Sequence, residues 1–209
     1  MRLPSRFYAM IDPAAGHEPV ALARILVGAG AKILQLRLKD AGARDFLAAA
    51  RAIREICGAA GAILIVNDRV DIAMLSDADG VHIGQTDLPL DATRRILGQG
   101  KIIGVSTHTV AQAVAAEAGG ADYIGFGAIY PGGLKNVKNA QGQERLAKVR
   151  RAVRIPIVAI GGITEATMPA VIASGADAAA IITDVVRAPD IGAKVVALLA
   201  QDAVASANR

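Results

Sequence analysis

Residues 62–89 read AILIVNDRVDIAMLSDADGVHIGQTDLP, two short aliphatic runs that each stop at a polar cluster holding a carboxylate, Asn67-Asp68-Arg69 and Gln85-Thr86-Asp87. Such a run, four or five β-branched or aliphatic residues ending abruptly, reads as a buried parallel strand whose carboxyl end opens into a loop. If both strands belong to one parallel sheet, Asp68 and Asp87 emerge on the same face. Two carboxylates with neighbouring amides offer the hard oxygen ligands that Mg²⁺ takes, usually together with oxygens of a substrate phosphate. The bland alternative makes Asp68 the cap of a helix beginning near Val70 and Asp87 the cap of a turn before Pro89.

Working outward, the same unit recurs along the whole chain. Eight β-like runs stand at Phe7 to Ile11, Lys32 to Arg37, Ile63 to Asn67, Gly80 to Gly84, Ile102 to Ser106, Tyr123 to Ile129, Ile157 to Gly161 and Ala178 to Thr183. Between them lie stretches with helical spacing, such as Pro19 to Gly28 and Arg44 to Cys57. Strict alternation of this kind predicts an α/β fold, a single-domain TIM (β/α)8 barrel over residues 1–209, with an open doubly wound sheet as the alternative. No Gly-x-Gly-x-x-Gly follows the first strand, which weakens a dinucleotide site. A weak repeat, Gly30-Ala31-Lys32, Asp77-Ala78-Asp79-Gly80, Gly120-Ala121-Asp122 and Gly175-Ala176-Asp177, precedes each even-numbered strand. It reads as helix-to-strand turns at the lower rim, three of them with Gly where a helix ends left-handed, and it carries no chemistry.

Active sites of such barrels are built at the carboxyl ends of the strands. The second strand ends Gln35-Leu36-Arg37-Leu38-Lys39, an alternation that sends Gln35, Arg37 and Lys39 to the interior mouth, where two cations call for an anion. The fifth strand offers Ser106 as a donor, with His108 beyond it; a structural role is the simpler reading for His108, His17 and His82. After the sixth strand, residues 128–139 form a long polar loop with Gly132, Gly133, Lys135 and Lys138, suited to ordering over a phosphate. Gly161-Gly162 and Ile182-Thr183 follow strands seven and eight, where backbone amides cradle phosphate in these barrels. One mouth with cations, paired carboxylates and a separate glycine cradle suits two phosphorylated groups held together.

Composition narrows the classes. Aromatic residues make up 3% and net charge is +4 without a long basic run, which argues against nucleic-acid binding. The single Cys57 excludes an internal disulfide and fits a reducing compartment. The start, MRLPSRFYAMIDP, is interrupted by Arg2, Pro4 and Arg6 and is no signal peptide, and no apolar run is long enough for a membrane span. A cytoplasmic enzyme of small anionic substrates is the expectation, with its oligomeric state, a homo-oligomer included, left open.

The segments Gln35-Leu36-Arg37-x-Lys39, Asn67-Asp68-Arg69-Val70-Asp71, Asp79-Gly80-Val81-His82-Ile83-Gly84-Gln85-x-Asp87-Leu88-Pro89, Gly104-Val105-Ser106-x-His108, Asp122-Tyr123-Ile124-Gly125-Phe126-Gly127 and Ile160-Gly161-Gly162-Ile163 together resemble the thiamine phosphate synthase family. The resemblance implies a Mg²⁺-dependent transferase that joins an aminopyrimidine methyl diphosphate to a thiazole phosphate and releases pyrophosphate. By the same resemblance Gln35, Arg37, Lys39, Asn67, Ser106 and Lys135 hold the pyrimidine diphosphate. Asp68 and Asp87 hold Mg²⁺, and Gly162, Ile182 and Thr183 cradle the thiazole phosphate. Arg37 and Lys135 then stabilise the departing pyrophosphate, and no nucleophilic side chain is needed. Where the family usually reads Pro-Thr-x-Thr-Lys, this chain has Pro131-Gly132-Gly133-Leu134-Lys135. Two lost hydroxyl donors to a charged group amount to roughly 3–6 kcal/mol unless backbone amides replace them. The alternatives are a paralogue that binds without efficient turnover and a thiazole tautomerase, a class expected to carry a histidine where this chain has Ala128.

Overall fold

The computed structural model describes residues 2–132 and 140–207, the side chains of 15 and 202–207 excepted. Its strands are β1 (Phe7–Ile11), β2 (Ile33–Leu36), β3 (Ile63–Asn67), β4 (Gly80–Ile83), β5 (Ile102–Thr107), β6 (Tyr123–Gly127), β7 (Ile157–Ile160) and β8 (Ala178–Ile181). Each pairs in parallel with its sequence neighbours, and β8 pairs with β1, so the sheet closes into a barrel in strand order. The expected barrel is therefore the observed one, and the open sheet is not. Strands β2, β4, β6, β7 and β8 stop one or two residues before their expected ends, where the chain turns away to form the mouth loops.

The helices follow the strands: α1 (Pro19–Gly28), α2 (Ala43–Ala60), α3 (Val70–Leu75), α4 (Leu90–Leu97), α5 (Val110–Ala118), α6 (Gly142–Ala152), α7 (Met168–Ala173), α8 (Thr183–Val186) and α9 (Ile191–Ala207). Alternate strand residues point outward and pack with these helices in one continuous aliphatic layer that includes Phe7, Leu34, Leu64, Val81, Ile103, Ile124, Ala159 and Ile181. The other alternation fills the barrel with Tyr8, Met10, Ile33, Ile65, Tyr123, Val158, Ala178 and Ala180. Room for the Tyr123 ring comes from Gly104, where an added Cβ would lie 2.1 Å from Tyr123 Cζ.

The four-fold repeat has a structural meaning beyond the turn. Gly30, Gly120 and Gly175 take positive φ, and Asp77 at φ 52 fills the equivalent place in the fourth copy. The carboxylates of Asp79, Asp122 and Asp177 each accept an N–H from the first or second residue of the preceding strand, Leu64, Ile103 and Ile157 respectively, at 2.8 Å. Each also meets an arginine of the helix before that turn or the one preceding it: Arg54 at 3.5 Å, Arg94 at 2.6 Å and Arg150 at 2.9 Å. The barrel floor is thus sewn by one repeated stitch.

Candidate active site

At the opposite end the strand termini surround a cavity of about 800 Å³. Of the expected site residues, Gln35, Arg37, Asn67, Ser106, Gly162, Ile182 and Thr183 all line it. Lys39, Asp68 and Asp87 lie outside that lining, Asp68 directly following the lining Asn67. Lys135, Gly133 and Leu134 fall outside the described residues.

Asp68 does not cap α3. The capping position belongs to Arg69, which makes no side-chain bond there, and Asp87 turns back to accept the N–H of Gly84 at 2.7 Å. The helix-cap reading of Asp68 is therefore corrected, whereas Asp87 closes the turn that begins at Gly84. Asp68 sits at φ 63, a left-handed conformation that Asp and Asn tolerate better than most residues, and this turns its carboxylate toward Asp87. Burial first, and then the adjoining Asp87 carboxylate, hold the Asp68 carboxyl above the usual range; Lys39, with Nζ 3.3 Å from Oδ2, pulls it the other way. Among the described residues no group of three or more His, Cys, Asp or Glu side chains comes together.

Expectation and structure differ over the cations. Arg37 and Lys39 each meet a carboxylate of the chain itself. Arg37 Nη1 donates to Asp12 Oδ2 in a close ion pair, and Asp12, 5% exposed, also accepts the N–H of Ala14. Asp12 is a mouth residue that sequence reasoning missed, because an Asp before Pro13 reads as a turn starter. Lys39, half exposed, reaches Asp68 across the β2 and β3 loops.

Gly161 and Gly162, at φ 99 and 65, let the loop after β6 lie against the loop after β7: a Cβ on Gly161 would be 2.4 Å from that of Ala128, and one on Gly162 would be 2.7 Å from the Pro131 carbonyl oxygen. Asp184 accepts the N–H of Glu165 at 2.9 Å and lies 3.4 Å from Lys194, tying the β7 and β8 loops together. His108 holds the Gly127 carbonyl through Nδ1 at 2.9 Å, and His17 Nε2 meets the Val186 carbonyl at 2.8 Å, so both act as loop fasteners.

Beneath the mouth a second missed feature crosses the barrel. Gln35 Nε2 donates to the Tyr8 hydroxyl at 3.1 Å, Tyr8 meets the Tyr123 hydroxyl at 2.9 Å, Tyr123 meets His82 Nδ1 at 2.9 Å, and His82 Nε2 meets Ser106 Oγ at 2.8 Å. Burial pushes the Tyr8 hydroxyl up to about 12 and His82 down to about 4, so both are neutral near pH 7.

Residues 7–185 match the family model described as thiamine monophosphate synthase. The chain belongs to that family. A thiamine-phosphate synthase of Methanocella arvoryzae is 49% identical over 173 residues, covering 82% of each chain. One of Chlorobium limicola is 43% identical over 189 residues, covering 90% of each. The structure of a thiamine phosphate pyrophosphorylase from Pyrococcus furiosus superposes with a TM-score of 0.85 at 32% identity, covering 92% of this chain and 93% of that one. As a member of the thiamine monophosphate synthase family the chain is a thiamine phosphate synthase-like transferase, and none of its described helices is long and apolar enough to cross a membrane.

Proposed function

We propose that the chain condenses 4-amino-2-methyl-5-hydroxymethylpyrimidine diphosphate with thiazole phosphate, in a Mg²⁺-dependent reaction that yields thiamine phosphate and pyrophosphate. The observation that carries this reading is the adjacency of Asp68 and Asp87 beside a cavity lined by Arg37, Asn67 and Ser106 on one side and by Gly162, Ile182 and Thr183 on the other.

The donor set fits Mg²⁺. A carboxyl held above its usual range by burial and then by a neighbouring carboxylate is relieved by a divalent cation, and Mg²⁺ is commonly bound through one or two carboxylates, with water and phosphate oxygens completing its shell. Asp68 and Asp87 would hold it, and when bound it would supply positive charge to the diphosphate as that group departs. Arg37 adds a planar pair of donors to the same oxygens, and its pairing with Asp12 keeps the guanidinium at the mouth before substrate arrives. Lys39 exchanges its contact with Asp68 for the diphosphate. Lys135 adds a further positive charge. Asn67 and Ser106 orient the pyrimidine diphosphate, while backbone amides at Gly162, Ile182 and Thr183 hold the second phosphate and so bring the thiazole nitrogen to the reacting methylene. Below them Tyr8, Tyr123, Ile65 and Val158 close the barrel against water.

Purified protein given both substrates and Mg²⁺ is expected to release pyrophosphate and thiamine phosphate in equal amounts. Absence of turnover with metal present rejects the reading. Placing Thr at both Gly132 and Leu134 separates it from the binding-only alternative, since turnover confined to that double variant identifies the natural chain as a binder.

A further inference from the structure

The buried chain of hydrogen bonds has a direction. An amide nitrogen only donates, so the Tyr8 oxygen accepts from Gln35, and the Tyr8 proton is left to point at Tyr123, its other hydrogen-bond partner. Tyr123, already accepting from Tyr8, donates to His82 Nδ1. A neutral imidazole that accepts at Nδ1 carries its proton on Nε2 and donates to Ser106 Oγ. The Ser106 proton is thereby turned away from His82, toward the cavity that Ser106 lines. At the opposite end the Gln35 amide donates into the barrel, and its carbonyl oxygen, without a hydrogen bond among the described residues, is left for the cavity that Gln35 also lines.

We propose that Tyr8, Tyr123 and His82 are positioning residues: they fix Ser106 as a hydrogen-bond donor to the ligand and Gln35 as an acceptor from it. The pair then selects a ligand that presents an N–H or O–H at one point and a lone pair or anionic oxygen at the other, and it disfavours the reverse arrangement. A hydroxyl free to rotate would pay for its ordering when the ligand binds; here the order is built in, and linked hydrogen bonds polarise one another along the chain. The application to a pyrimidine diphosphate rests on the function proposed above, whereas the direction of the chain does not. Every member is deeply buried except Ser106, and Gly104 and Gly125 leave the space in which the Tyr123 and His82 rings meet.

The test reads the His82 tautomer in the intact protein by long-range ¹H–¹⁵N spectroscopy of labelled histidine, with His82 assigned among the three histidines by the loss of its signals in His82→Gln. The expected result is a protonated Nε2 and a bare Nδ1. A protonated Nδ1 overturns the proposal whatever the enzyme's activity. The second measurement is a double-mutant cycle of Tyr123→Phe and Ser106→Ala, read as equilibrium binding of the pyrimidine diphosphate without the thiazole partner, so that no turnover is required. Each single change is expected to weaken binding about tenfold or more, and Tyr123→Phe to add little once Ser106 is gone. Losses that multiply independently would make Tyr123 a packing residue and overturn its positioning role. Failure of the wild-type protein to bind the pyrimidine diphosphate would overturn the selection of that ligand, while the tautomer still decides the direction.

Discussion

At the lower rim, Asp79, Asp122 and Asp177 repeat one arrangement, an N–H near the start of a strand at 2.8 Å and an arginine beside it. At the mouth the loops bring different groups: β2 Arg37 and Lys39, β3 Asp68, the loop after β4 Asp87, β5 Ser106, β7 paired glycines. The rim repeats because the returns to β4, β6 and β8 meet the same problem, an orphan N–H and a helix end, and one solution serves all three. The mouth varies because chemistry needs different groups converging on one point. Substitutions at the two ends should accordingly fail in different ways.

The largest difference is expected at Asp87. Asp87→Asn should lower kcat/KM for pyrophosphate release by at least about 100-fold while leaving the melting temperature near that of the wild type, a pattern that parallel kinetic and thermal assays would check. A rim change cannot do this.

Next comes the buried imidazole under the mouth. His82 is held at about 4 in the folded chain against 6.5 ordinarily, chiefly by desolvation. The unfolded chain therefore binds more protons between those values, and stability is lost as pH falls through that window, by about 3 kcal/mol. Urea unfolding from pH 7 to pH 4 should show this dependence in the wild type and less of it in His82→Gln.

At the rim, Asp122→Ala strips an acceptor from the Ile103 N–H and a partner from Arg94. The partly exposed pair implies a loss of about 1–3 kcal/mol in unfolding free energy, with kcat/KM unchanged where the protein is folded. A fall in kcat/KM there would blur the contrast.

The smallest effect sharpens it within one residue. Asp68→Asn and Asp68→Ala should both abolish turnover, but Ala at φ 63 should be less stable than Asn by about 1 kcal/mol, since a short polar side chain tolerates the left-handed backbone. Denaturant midpoints of the two variants would show it.

The same contrast explains what could be read before any coordinates. Strand alternation and the lower-rim Gly and Asp positions are local patterns, and each lies where its spacing indicated. Partnerships were less legible. Tyr8 and Tyr123 are 115 residues apart and meet because the barrel closes, so nothing in either neighbourhood announces the contact. Asp12 follows β1 as Asp68 follows β3, and that parallel is the signal that would have found it. That Arg37 and Lys39 each also meet a carboxylate of their own chain is not legible locally, because Asp12 and Asp68 come from different loops. His82 read as a core residue and is one, yet its ring spans the gap to Ser106.

The account rests most directly on the carboxylate pair, and a Mg²⁺ titration of pyrophosphate release by the wild type and by Asp87→Asn tests it. The predicted result is a rate that rises with Mg²⁺ and saturates in the wild type and stays near zero in the variant. A wild type that turns over equally well after chelation, or a variant that follows the wild-type curve, would contradict it.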